Sequence, residues 1–124
     1  MYNKSMRLSL IFLILIVNNE AINNTGVVSA GGGGIRCGDG NPLIENNMIK
    51  GNKGCYGAGI VMNFCTGVIR RNIIVESSSG QDYGVSGIWT YAAGITIVEN
   101  NTLVGNVSTD SRQAQAGKGG GILV

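Results

Sequence analysis

With no histidine among 124 residues, the side chains from which this sequence could build a reaction are few. They are three aspartates, Asp39, Asp82 and Asp110, three cysteines, Cys37, Cys55 and Cys65, and a base such as Arg70. Carboxylates do acid–base work in pairs or hold a hard cation in groups, so either role needs the aspartates to converge. They lie far apart along the chain in segments that read as turns and loops, and Asp39 and Asp82 fall at different points of the repeat described below. The cysteines lack CxxC spacing and, without histidine, the usual structural zinc sets are absent, so no metal and no cofactor is expected. One thiol must be unpaired within a monomer. The three read as buried small apolar residues or loop residues, with their pairing open. Serine nucleophiles have no imidazole partner, and GxGxxG-like spacings are by-products of 21 glycines with no helix after them. A net charge of +2, from nine basic and seven acidic residues, gives no polyelectrolyte signal, so no nucleic-acid partner is expected.

What could position such residues is a repeat. The triplets Gly33-Gly34-Ile35, Ala58-Gly59-Ile60, Ser86-Gly87-Ile88 and Gly120-Gly121-Ile122 bring an isoleucine back once per repeat, with the spacing lengthening along the chain. A second block follows each of the first three: LIENNMI from Leu43, VIRRNII from Val68 and IVENNTL from Ile97, carrying Asn47, Asn72 and Asn101 at the same place in each. Ile35 to Ile44 is the same distance along the chain as Ile60 to Ile69. Two blocks that move together, with slack only between them, are one repeat with a variable loop.

Each repeat reads as a short strand (Ile35 to Cys37), a turn, a second strand (Leu43 to Glu45), an asparagine turn, a third strand (Met48 to Lys50) and a loose polar loop. Strands this short cannot bury a face alone, whereas coils stacked at the parallel spacing of about 4.8 Å line a continuous core. The spacing predicts inward columns Ile35, Ile60, Ile88 and Ile122; Ile44, Ile69 and Val98; and Ile49, Ile74 and Leu103. Asn47, Asn72 and Asn101 are expected to take the left-handed conformation of a sharp bend, and the glycine before each isoleucine to sit where side chains would crowd. Glu45, Arg70 and Glu99 point outward as a ladder of alternating charge, which keeps Arg70 protonated and makes it a salt-ladder rung rather than a base.

The repeat GGGIRC, NPLIENNMIKGN, YGAGI resembles that of secreted right-handed parallel β-helix proteins of the pectin-lyase-like superfamily, the bacterial kind known only as β-helix repeat proteins. The resemblance covers about Gly31 to Val124. It implies a fold of the all-β class, a right-handed parallel β-helix of about four coils, and polysaccharide-directed lyase, hydrolase or epimerase activity as the superfamily's range. The hydrolases among them carry aspartate-rich signatures and a histidine, which this chain lacks.

The strongest binding signal lies on the outward face of the first strand. Arg36, Val61, Trp89 and Leu123 follow the inward isoleucines, with Asn63 and Tyr91 two places on. Trp89 and Tyr91 at i and i+2 share one face and could offer platforms to sugar rings, with Arg36 near for a carboxylate; in the competing reading Trp89 packs under a neighbouring loop. The candidate carbohydrate-binding residues are therefore Trp89, Tyr91, Arg36 and Asn63, and polysaccharide is the expected partner.

Residues 1–15 read as a secretion signal or a truncated first coil. Lys4 and Arg7 precede the apolar run Leu8 to Val17, which is short against the roughly 20 residues a membrane helix needs. Residues 16–124 read as β-helix, with Ile16, Asn18 and Asn19 matched to Ile44, Asn46 and Asn47 of the next coil. The sequence GKGGGILV stops after starting another coil, which points to continuation in a longer chain or edge-to-edge self-association. The reading is a secreted or cell-surface scaffold without catalysis of its own; the alternative is a fragment of a polysaccharide-active enzyme with its catalytic coils elsewhere.

Overall fold

The computed structural model describes residues 10–12, 15–17, 20–21, 32–79, 85–91, 94–108 and 120–124. Within them the chain winds as a right-handed parallel β-helix of about four coils, with four sheets running along the stack. Numbered along the chain, β1 (Leu10–Phe12), β5 (Leu43–Glu45), β9 (Gly67–Arg70) and β13 (Thr96–Glu99) form one sheet. β2 (Leu15–Val17), β6 (Met48–Lys50), β10 (Ile73–Val75) and β14 (Thr102–Val104) form the second. β3 (Glu20–Ala21), β7 (Lys53–Gly54), β11 (Ser78–Ser79) and β15 (Val107–Ser108) form the third. β4 (Ile35–Gly38), β8 (Ile60–Asn63), β12 (Ile88–Tyr91) and β16 (Ile122–Leu123) form the fourth. Each coil therefore has four sides rather than three: the segment expected as a loose polar loop contains a two-residue strand that pairs with its equivalents, Lys53 with Ser78 and Ser78 with Val107.

The isoleucine columns stack in register. Ile35 pairs with Ile60, Ile60 with Ile88 and Ile88 with Ile122, while Ile44 and Ile69, and Ile49 and Ile74, pair in the first and second sheets. Ile44, Ile49, Ile60, Ile69, Ile74 and Ile88 are wholly enclosed. Val98 and Leu103 are only partly buried and Ile122 is 46% exposed, because among the described residues no further coil lies over them. The glycines at coil entry are forced by this stacking. A Cβ on Gly59 would lie 2.5 Å from the carbonyl oxygen of Gly87 and 2.7 Å from Cγ2 of Ile74.

Two expectations need correction. In the earliest coil the partner of Ile44 is Ile11, and Ile16 pairs with Ile49, so the expected match of Ile16 with Ile44 is off by one strand. The run from Leu8 to Val17 is apolar almost throughout, so no alternation of inward and outward residues fixed its register; Asn18 and Asn19 lie outside the described residues. The left-handed residues between the first and second sheets are Asn46 (φ 60°), Arg71 (φ 54°) and Asn100 (φ 53°), each one place before the expected asparagine.

Asn47, Asn72 and Asn101 belong to the same turns but do a different job. The Oδ1 of Asn72 accepts from the backbone N–H and the Nδ2 of Asn47, both at 3.0 Å, and the Oδ1 of Asn101 accepts from the same two groups of Asn72, again at 3.0 Å. Their Nδ2 groups also donate to inward-strand carbonyls one coil away, Asn72 to Ile44 and Asn101 to Ile69. An extended side-chain amide reproduces the backbone amide it replaces, so a column of buried asparagines continues the sheet's hydrogen bonding through a corner where backbone groups alone would be left unmade. A second such column holds Asn52 and Asn106, whose Nδ2 groups donate to Ile16 and Ile74, with Ser77 between them.

Candidate functional site

The outward face of the β4-β8-β12-β16 sheet carries all four candidate binding residues, in two columns. Arg36, Val61, Trp89 and Leu123 form one; Gly38, Asn63 and Tyr91 form the other. At Val61 and Trp89 the first column is not open. The segment entering β8, Gly54 to Gly59, folds back over it, and Tyr56 places its ring edge-on to Trp89 with centroids 4.1 Å apart. Cys55, Tyr56, Val61, Val85 and Trp89 are a second buried cluster, with Leu123 packed against it. Gly57, at φ 52°, lets the covering segment come close, since a Cβ there would meet the side chains of Val61 and Trp89. Trp89 is 8% exposed, so the platform expected from Trp89 and Tyr91 together is reduced to Tyr91. Sequence separation hid this, because the cover comes from the loop before the preceding coil's strand.

The open part of the face lies one residue further along. Tyr91 is 55% exposed and its ring lies 5.6 Å from that of Trp89, tilted by 33°. Phe64, which follows β8, is 66% exposed and stands perpendicular to Tyr91 at 84° with centroids 6.0 Å apart. Phe64 was not among the expected binding residues. It occupies a left-handed corner (φ 52°), the position held by Asp39 (φ 71°) in the neighbouring coil, and a bulky residue in that region is uncommon. A large aromatic at a coil corner, beside Asn63, was the signal available. Asn63 itself is buried, and its Oδ1 has no hydrogen-bond partner among the described residues. Next to it in the column, Gly38 faces open space, with nothing within 4 Å of where a Cβ would be. Arg36 is exposed on the same face, three residues before Asp39.

The ionisable groups form structural pairs. Glu45 accepts from Arg70 Nη2 at 2.7 Å and Arg71 Nη1 at 2.9 Å, and Arg70 Nη1 lies 3.9 Å from Glu99. The hydrogen bond from Arg70, more than its charge, holds the Glu45 carboxyl below its ordinary range. Arg70 is thus the centre of the expected ladder. Cys37, Cys55 and Cys65 form no disulfide, and Cys65 lies in the main core with Cys37 packed against it. Burial, and then the neighbouring Cys65, push the Cys37 thiol up to about 11, and burial raises Cys65 too, so neither is a ready nucleophile. Asp39 lies at an exposed corner, while Asp82 and Asp110 lie outside the described residues. Among the described residues no three acidic or thiol groups converge on a point that could hold a metal ion. Comparison with protein-family models, with curated proteins and with solved structures finds no match to this chain.

Proposed function

We propose that this protein is an exported β-helix scaffold that binds polysaccharide at an extracellular surface through the rim formed by Phe64 and Tyr91, without turning it over. The observation that carries the reading is the pair of exposed rings. Two large aromatics left in water at one edge of a solenoid offer flat apolar area with a phenolic handle, which suits the apolar face of a sugar ring. Trp89 backs Tyr91 from the covered side and fixes its position. The four-sided coil and its asparagine columns support the resemblance to secreted parallel β-helix proteins. The pairing of Arg70 with Glu45 and Glu99 supports a non-catalytic role, since both contacts engage the guanidinium in a charge ladder between coils.

The test is affinity electrophoresis of the full chain through gels containing neutral or uronate polysaccharides, with Tyr91→Ala and Phe64→Ala in parallel. Retardation by at least one polysaccharide, weakened about tenfold in either variant, is expected from a loss of roughly 1.4 kcal/mol. Unretarded migration in every gel would remove the binding reading. Release of unsaturated products or new reducing ends, abolished in Arg70→Ala, would replace the scaffold with an enzyme.

A further inference from the structure

We infer that the Phe64–Tyr91 corner takes a single uncharged pyranose and discriminates against uronates, with Asp39 as the discriminating residue. This rests on the carbohydrate-binding reading above and names the class of sugar. Three observations lead to it.

The first is ring orientation. Rings at 84° cannot both lie flat against one extended chain; they form a corner that holds one sugar by its face and by its edge. The ring that could have extended the platform, Trp89, is only 33° from Tyr91 but is covered by Tyr56. The corner therefore has room for one ring, and further units of a polymer gain no equivalent contact.

The second is charge. Asp39 and Phe64 occupy the same left-handed corner in adjacent coils, and the backbone N–H of Asp39 donates to the carbonyl of Asn63 at 3.1 Å. Coils repeat at about 4.8 Å, so the exposed Asp39 stands at the same corner one coil from Phe64, where its Oδ1 accepts from the N–H of Gly40 at 2.9 Å. A uronate seated there brings like charge to like charge beside aromatic faces that are themselves negative. Arg36, also exposed on this face, lies two residues before Gly38 in the same strand.

The third is the buried acceptor. Asn63 is 8% exposed, stands in the outward column between Gly38 and Tyr91, and its Oδ1 accepts from none of the described residues. Such a group is costly unless something donates to it. A sugar hydroxyl is such a donor, and neutral sugars and uronates both carry it, so Asn63 favours a saccharide at this face while the charge preference rests on Asp39.

The experiment is calorimetric titration of the full chain at low salt with three probes: a neutral tetrasaccharide, the methyl glycoside of its monomer, and a tetragalacturonate. The neutral tetrasaccharide and its methyl glycoside are expected to bind within about tenfold of each other, and the uronate at least tenfold more weakly. Asp39→Asn keeps a residue suited to φ 71° and is expected to bring the uronate to within a few-fold of the neutral probe. Uronate binding equal to or tighter than neutral binding, lost in Arg36→Ala, would overturn the inference while leaving carbohydrate binding intact. Affinity climbing steeply from monomer to tetramer would overturn the single-ring corner. Heat from none of the probes, together with unretarded migration in the gels above, would remove the parent reading and this one with it.

Discussion

Asn72 and its neighbour Arg71 give a decisive test of what the asparagine column does. If Asn72 were the left-handed residue of its turn, glycine would replace it at little cost; as a rung, it cannot be spared. Replacing it with glycine removes four hydrogen bonds: its Oδ1 accepts from the N–H and the Nδ2 of Asn47, and its Nδ2 donates to the carbonyl of Ile44 and the Oδ1 of Asn101. Asn72 is 1% exposed, so water does not substitute without rearrangement. At about 1 kcal/mol for each lost hydrogen bond, plus roughly 0.5–1 kcal/mol for glycine's extra freedom in the unfolded chain, the loss is about 5 kcal/mol. That is a large part of the roughly 5–15 kcal/mol by which domains are typically stable. Arg71→Gly removes an exposed ion pair with Glu45, worth less than about 1 kcal/mol, and relieves a left-handed non-glycine residue worth about the same, so it should be near neutral. Urea unfolding followed in parallel by far-ultraviolet circular dichroism and Trp89 fluorescence, with slopes compared to confirm one transition, measures both. Asn72→Gly within about 1 kcal/mol of wild type, or Arg71→Gly as damaging as Asn72→Gly, would refute the rung.

Gly59→Ala should be among the most harmful single-methyl additions in the chain, by about 1–3 kcal/mol or more, because backbone of the next coil blocks the new carbon; a thermal midpoint matching wild type would show that the coils can separate locally. Ser77→Asn should raise the midpoint, since Ser77 Oγ is buried without a partner among the described residues in a column that also holds Asn52 and Asn106, and the new amide gains the carbonyl of Ile49 for about 1 kcal/mol. Cys37 and Cys65 should resist iodoacetamide at mildly alkaline pH in native protein and react quickly in urea, because raised thiol pKa values leave little thiolate to attack; mass spectrometry of the alkylated peptides reads this directly. Lowering the pH should weaken the fold through Glu45. Its carboxyl is depressed in the folded state, so its contribution is present above the ordinary carboxylate range and disappears as pH falls through the lower folded value; Arg70→Ala should move the Glu45 titration, followed by nuclear magnetic resonance, back upward.

The stacking columns were legible because Ile35, Ile60 and Ile88 repeat with their glycines, and a buried apolar residue in every coil leaves a periodic mark. The fourth side of the coil left none: Lys53-Gly54, Ser78-Ser79 and Val107-Ser108 are two residues each, too short to alternate and too polar to look like strand. Asparagine misled by having two uses. It tolerates the left-handed bend, and its amide also mimics the backbone. The columns themselves distinguish the two, since the bend holds Asn46, Arg71 and Asn100, whereas the rung holds asparagine in all three coils. A bend needs only a permissive backbone, but a rung needs one particular amide. At the candidate site, the outward direction of Trp89 was readable from alternation, but its cover was not, because Tyr56 reaches it from a glycine-rich segment with no period at all.

The coil also decides where heritable changes in length can survive. The step from Ile44 to Ile49 is repeated without change from Ile69 to Ile74 and from Val98 to Leu103, and the asparagine rung sits inside that interval. A codon gained or lost there would move an amide out of its column and break bonds to two neighbours at once. Between Tyr91 and Thr96 the chain already carries one residue more than the coil before it, since Tyr91 pairs with Asn63 but Thr96 with Gly67, and Ile95 stands 83% exposed beside the surplus. Lineages of this protein should therefore differ in length at the corner next to Phe64 and Tyr91, so that the rim offered to ligands is also the part of the coil most free to be rewritten.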